Sequence, residues 1–141
     1  MKMVRLFSLF LYNIILLFNF FCNFRKSNNL IYNLKNKLES KNYLKLKIEK
    51  SFVNFYAPNE ICKWRYTTIF TKEPETLDWI NNFVDNNDLI FWDIGANVGI
   101  YSIYSAIKYN NIKVVAFEPS TSNLRVLSRN ISINNFSNKK L

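Results

Sequence analysis

Two glycines are all that 141 residues contain, and they stand four apart, Gly95 and Gly99, inside Phe91-Trp-Asp-Ile-Gly-Ala-Asn-Val-Gly99. Glycine enters positive φ without steric cost, so a glycine-poor chain can turn tightly or bring its backbone against a ligand at few places. Here both glycines serve one turn. The apolar run Leu89-Ile-Phe-Trp92 precedes them and predicts a buried strand, and an apolar-periodic stretch from about Val98 to Lys108 predicts a helix after them. Asn97, between the glycines, is a residue type that tolerates left-handed backbone angles.

The next elements repeat that pattern. Asn110-Asn111 marks a turn, Val114-Val-Ala-Phe117 a second buried strand, and Ser120 to about Asn134 a helix with Leu124, Leu127 and Ile131 on one face. Strand, helix, strand, helix opens a parallel α/β sheet, here the start of a Rossmann-like one. Upstream, Glu73-Pro74-Glu75 predicts a helix start running through Leu77, Ile80, Asn81 and Val84, with Asp85-Asn86-Asn87-Asp88 turning the chain. Leu44, Leu46 and Ile48 alternate with Lys45, Lys47 and Glu49, and Phe52-Val-Asn-Phe-Tyr56 is placed to pair with them as a hairpin. Leu30, Ile31, Leu34 and Leu38 predict a short helix within residues 27–42.

A strand-to-helix turn at the carboxyl edge of such a sheet is where a nucleotide binds. The dinucleotide pattern G-x-G-x-x-G is absent from Gly95-Ala-Asn-Val-Gly99, which argues against a pyrophosphate on the loop and against a nicotinamide dehydrogenase. An adenosine without phosphates fits better. Glu118 ends the second strand, nineteen residues after Gly99, where an acid can accept hydrogen bonds from both ribose hydroxyls. Pro119 then turns the chain away. Asp93 suits a cationic ligand such as a sulfonium with its amino group; its other reading is a carboxylate that organises the loop, and the two are compatible.

Asp93-Ile-Gly-Ala-Asn-Val-Gly99, followed by Ala116-Phe-Glu-Pro119 and by Asn123-Leu124, Asn130 and Asn134, resembles the FkbM family of class I methyltransferases. Asn54-Phe-Tyr-Ala-Pro58, Trp64-Arg65 and Phe70-Thr-Lys-Glu-Pro-Glu-Thr-Leu-Asp-Trp79 resemble the lead-in that some bacterial members carry, so the likeness covers about residues 44–135. It implies O-methyl transfer from S-adenosylmethionine to a sugar or another hydroxylated metabolite. It also implies a cofactor-contacting set of Asp93, Gly95, Ala96, Asn97, Gly99, Glu118 and Pro119, with Asp93, Gly95, Asn97 and Gly99 on the methionine side and Glu118 on the ribose. Glu75 and Thr76 would approach the same cofactor. The family fold is a seven-stranded sheet, of which this pattern supplies the first two strands. The chain is therefore expected to be the front of a truncated domain, inactive alone, with acceptor contacts and catalytic base unassigned. The alternative is a non-catalytic remnant or a membrane-tethered interaction module.

Charge and cysteine content limit the partners. The formal net charge is +9, but residues 1–50 hold a surplus of eight and residues 51–141 a surplus of one. The motif-bearing part thus lacks the basic face that nucleic acid requires, and no nucleic-acid partner is expected. No histidine is present, and Cys22 and Cys62 lack CxxC spacing, which excludes structural zinc and Cys-His nucleophile pairs and suits reduced cysteines in the cytoplasm. Residues 6–24 are apolar and approach membrane-span length. Arg5, Ser8, Tyr12, Asn19, Asn23 and Lys26 share one side of that helix, with Asn13 off the stripe. That stripe predicts a helix packed on a domain or lying in a membrane interface, with a signal anchor or an unstable extension as the other readings. Membrane-surface contact would run through residues 1–26. A cleavable leader is disfavoured, because Phe20-Phe-Cys-Asn23 offers no small-residue site. The expected layout is a helical extension over 1–42 and the methyltransferase portion over 43–141.

Overall fold

A computed structural model describes residues 2–24, 30–84 and 89–136. The chain divides into two compact units, Met1–Lys41 and Asn42–Leu141.

The first unit is a pair of helices, α1 (Lys2–Phe24) and α2 (Leu30–Glu39). The span Met3–Cys22 is long and apolar enough to cross a membrane, and none of it is buried. Its polar residues are largely satisfied inside the unit: Ser8 Oγ donates to Val4 O at 2.8 Å and Asn13 Nδ2 to Leu9 O at 3.0 Å. Asn19 Oδ1 accepts the Ile31 N–H of α2 at 3.4 Å. The periodicity at Leu30 and Leu34 yields α2 as expected, and both side chains are half-buried.

The second unit is mixed α/β with two small sheets. Strands β1 (Tyr43–Ile48) and β2 (Ser51–Tyr56) form the expected antiparallel hairpin, closed at Ile48↔Ser51 with Glu49 at φ 52°. A helix without a sequence expectation follows, α3 (Glu60–Thr67), begun by Asn59, whose side chain accepts the Cys62 N–H at 2.9 Å. Helix α4 (Pro74–Asn81) starts at Pro74 as the proline predicts but stops three residues short of Val84, which is exposed. Asn82 caps it and its side-chain amide bonds back to Asp78 O, while Phe83 follows the helix end and packs against Phe91 and Tyr109. The predicted turn at 85–88 lies outside the described residues.

Strand β3 (Ile90–Ile94), helix α5 (Ile100–Lys108), strand β4 (Lys113–Phe117) and helix α6 (Thr121–Ile133) complete the unit, and β3 and β4 pair in parallel from Ile90↔Lys113 to Ile94↔Phe117. Strand β3 runs two residues further than Leu89–Trp92 suggested, and α5 begins two residues after Val98, because the glycine turn occupies residues 95–99. One face of the pair, Phe91, Asp93 and Val114, is buried, whereas Ile90, Trp92, Ile94 and Phe117 stand exposed on the other. Period-2 alternation puts those residues on opposite faces. The buried face of α6 is Val126, Leu127 and Asn130; Leu124 is exposed, so the stripe lies one position away from the expected Leu124–Leu127–Ile131 line.

A polar clamp joins the hairpin to α6. The outer edge of β2 offers the N–H groups of Asn54 and Tyr56, two residues apart, and α6 offers Asn134 and Asn130, one turn apart. These spacings nearly coincide. Asn134 Oδ1 accepts the Asn54 N–H at 2.9 Å, its Nδ2 donates to Asn54 O at 2.7 Å, and Asn130 Oδ1 accepts the Tyr56 N–H at 2.7 Å. The two asparagines therefore satisfy an edge that would otherwise be open. Asn130 is fully buried, and its Nδ2 also donates to Tyr66 Oη at 2.8 Å and Val98 O at 2.9 Å. One side chain thus ties β2, α3, α6 and the glycine turn together.

Candidate functional site

The turn at 95–99 holds three left-handed residues in five: Gly95 at φ 82°, Asn97 at φ 55° and Gly99 at φ 85°. Its geometry is set from the end of β4. The N–H groups of Gly95 and Ala96 both donate to Phe117 O at 2.9 Å, and the Asn97 N–H donates to Glu118 Oε2 at 2.7 Å. The Gly99 N–H closes on Ala96 O at 2.8 Å. Four amides of the turn are thus engaged inside the fold, and the turn is not a nest of free donors of the kind that cradles phosphate.

The two glycines differ in what surrounds them. A side chain added at Gly95 would meet no protein atom within 4 Å, so only its backbone angle and the open space before it demand glycine. At Gly99 an added Cβ would collide with Leu127 Cδ1 of α6. Gly99 is buried and lets α6 pack directly on the turn.

Glu118 is a clasp. One oxygen holds the Asn97 N–H; the other accepts the Ser120 N–H at 2.9 Å and Asn123 Nδ2 at 3.3 Å. Its pKa is lowered, chiefly by the Ser120 N–H, with the Asn97 N–H and Asn123 amide adding, so it stays ionised at the mouth of α6. A carboxylate accepts about four hydrogen bonds, which leaves room for a ligand hydroxyl beside these three. Pro119 is exposed, takes no part in the clasp's hydrogen bonds and turns the chain beside it.

Asp93 faces the other way, into the body of the unit, where Ser102 Oγ of α5 donates to its Oδ2 at 2.5 Å. Burial raises its pKa above the ordinary aspartate value, and the Glu118 charge pushes in the same direction against the two Ser102 hydrogen bonds. The folded chain then keeps a proton that the unfolded chain releases, so this contribution to stability is present at low pH. It is lost as pH rises from the ordinary aspartate value through the raised one, and each tenfold difference in acidity between the two states is worth about 1.4 kcal/mol. Asp93→Asn should remove that slope while keeping an acceptor for Ser102. Urea titrations of both chains across this window test it, and identical pH profiles would disprove it.

Beside the turn lies a cavity of about 220 Å³ bounded by Gly95, Ala96 and Asn97, by Arg65, Thr68 and Ile69 from α3 and its end, and by Lys72, Glu73 and Tyr101. Of the sequence-predicted residues only Gly95, Ala96 and Asn97 line it; Asp93, Gly99, Glu118, Pro119, Glu75 and Thr76 do not. Tyr101 Oη donates to Glu73 Oε2 at 2.6 Å, and Lys72 Nζ pairs with Glu73 Oε1 at 2.6 Å. Glu73 is accordingly held below the usual carboxylate range, first by Lys72 and then by Tyr101. Two groups at this wall lack partners among the described residues. Asn97 Oδ1 is buried and accepts nothing, and the half-buried Arg65 guanidinium has neither an ion pair nor a hydrogen bond. Arg65 nevertheless sits within electrostatic reach of both Glu73 and Glu118. Its place could have been read from Pro58-Asn59-Glu60, a helix-start pattern that puts Arg65 in the last turn of α3.

The methyltransferase sdnD of Sordaria araneosa is 36% identical to this chain over 88 residues, which cover 62% of this chain and 32% of that protein. The match thus spans about a third of the length of that curated relative. No family model matches the chain. No solved structure matches it.

Proposed function

We propose that residues 43–141 carry the S-adenosylmethionine side of a methyltransferase site of the FkbM type, built on the opening of a Rossmann-like sheet, with a sugar or other small hydroxylated molecule as acceptor. The similarity to a protein named a methyltransferase supports the general role. The observation that carries the cofactor reading is the cavity wall, where Asn97 Oδ1 and the Arg65 guanidinium, an acceptor and a cation, wait unpartnered beside the open space at Gly95. An α-amino acid presents the matching ammonium and carboxylate. At about 220 Å³ the cavity is smaller than the usual whole-ligand pocket, so it suits the amino-acid end of the cofactor.

Bound here, that cofactor would supply an electrophilic methyl group on a sulfonium. Arg65 would hold its carboxylate, Asn97 Oδ1 and Glu73 its ammonium, and Glu118 a ribose hydroxyl. Asp93, turned toward Ser102, acts as a positioning residue that ties β3 to α5 behind the turn. Orientation is the main contribution such a site makes to a displacement at carbon. The site belongs in the cytoplasm, with residues 1–26 as the extension that meets a membrane.

Calorimetry with S-adenosylhomocysteine and with 5′-methylthioadenosine, which lacks the amino-acid end, tests this. Gly95→Val should abolish binding of S-adenosylhomocysteine, because its side chain fills the open space that the amino-acid end would enter. Arg65→Gln should weaken the first ligand about tenfold to a hundredfold, as for one charged hydrogen-bonded contact, and leave the second unchanged. Unchanged affinity in Gly95→Val, or equal losses for both ligands in Arg65→Gln, would sink the assignment.

A further inference from the structure

The apolar side chains of α1 cover most of its circumference and are solvent-facing from end to end: Leu6, Phe10, Leu17 and Phe21 are all more than half exposed. Water is a poor environment for a surface of that size, which exceeds the apolar patches that soluble monomers show. An in-plane amphipathic helix needs a broad, strongly charged face, whereas the polar stripe of α1 is narrow and carries only Ser8, Tyr12 and Asn19 between Arg5 and the trailing end. Ser8 and Asn13 return their donors to the helix backbone, at Val4 O and Leu9 O, which lowers the cost of placing them in hydrocarbon. Asn19 is engaged by the Ile31 N–H near the end of the helix. Arg5 is the one charge within Met3–Cys22 and sits at its edge, from which a long side chain can reach headgroups. The 20 residues of that span give about 30 Å of helix, the thickness of a bilayer's hydrocarbon core.

Charge then orients the helix. Lys2 and Arg5 lie on the leading side, whereas Arg25, Lys26, Lys35, Lys37 and Lys41 lie within about 20 residues of the trailing end. Basic residues are retained on the cytoplasmic side, where anionic lipid also attracts them. We infer that α1 is a transmembrane anchor whose trailing, lysine-rich end faces the cytoplasm, so that residues 42–141 are held on that side of the bilayer. This sharpens the membrane contact proposed above from surface association to a spanning helix with a direction. It concerns placement alone and holds or fails independently of the methyl-transfer reading.

The test expresses the full chain in a bacterial host and follows it with an antibody to residues 42–141. Membranes washed with alkaline carbonate should retain it; release into the wash indicates surface binding and overturns the span. Protease added to inverted inner-membrane vesicles should degrade the 42–141 epitope, and added to spheroplasts should spare it. The reverse pattern overturns the orientation, and a shortened soluble product overturns the anchor in favour of a cleaved leader. Leu9→Arg with Leu17→Arg should move at least about tenfold more protein into the carbonate-soluble fraction, given the cost of two charges at membrane depth. Unaltered retention in that variant would show that α1 is not what holds the chain.

Discussion

Replacing Gly99 with alanine is expected to destabilise the chain by about 3 kcal/mol. Left-handed backbone costs an L-residue roughly 1–2 kcal/mol, and overpacking a core contact adds about 1–3 kcal/mol. Both terms apply, because Gly99 sits at φ 85° and its added methyl would overlap Leu127, which is itself buried. Urea denaturation followed by tryptophan fluorescence measures the loss. Leu127→Ala in the same background separates the two causes: it should recover part of the Gly99→Ala loss, since the collision goes and the strain stays. Strictly additive effects of the two substitutions would show that Leu127 is not the obstacle. Gly95→Ala should cost less than Gly99→Ala, because it adds only the strain of φ 82° with no protein atom within 4 Å. The two glycines, alike in sequence, are thereby distinguished by measurement.

Asn130→Ala is expected to cost about 3–5 kcal/mol. It leaves the buried Tyr56 N–H and Val98 O without their partner and removes the bond to Tyr66 Oη, which retains only Tyr56 O at 3.1 Å. Each buried group left unsatisfied costs roughly 1–3 kcal/mol. Asn134→Ala removes a similar number of bonds to the same strand edge, yet those at Asn54 are exposed and water replaces them, so about 1 kcal/mol is expected there. Equal losses in the two variants would mean that burial is not what makes Asn130 important. Because Asn130 holds Val98 O, its removal should also loosen the turn, with faster amide exchange at Asn97 and Gly99 than in Asn134→Ala.

Much of the second unit was legible because its signals are local. Alternation at Leu44, Leu46 and Ile48 gave the hairpin, proline and flanking acids gave the start of α4, and the apolar runs on either side of the glycines gave β3, α5 and β4. Helix α3 was missed because its apolar residues form no clear stripe: Ile61 and Trp64 are exposed while Cys62 and Tyr66 are buried. Only its cap announces it. The face of α6 was misjudged for a related reason. Asn130, polar by type, is buried in the place a hydrophobic residue would ordinarily fill, so hydrophobicity alone drew the stripe through Leu124.

The sequence by itself determined the three left-handed positions of the turn, because the steric cost of positive φ is a property of each residue and its neighbours. It likewise determined the strand–helix order around that turn, through periodicities that need no distant partner. Tertiary structure decided where the charges point. Packing turned Asp93 inward to Ser102, bent the Asn97 N–H onto Glu118, and carried Arg65, thirty residues before Gly95, to the wall of its cavity. It also gave the paired glycines separate surroundings, one facing open space and one pressed against Leu127. Those outcomes depend on contacts between residues far apart in the chain, and a local pattern carries no record of them.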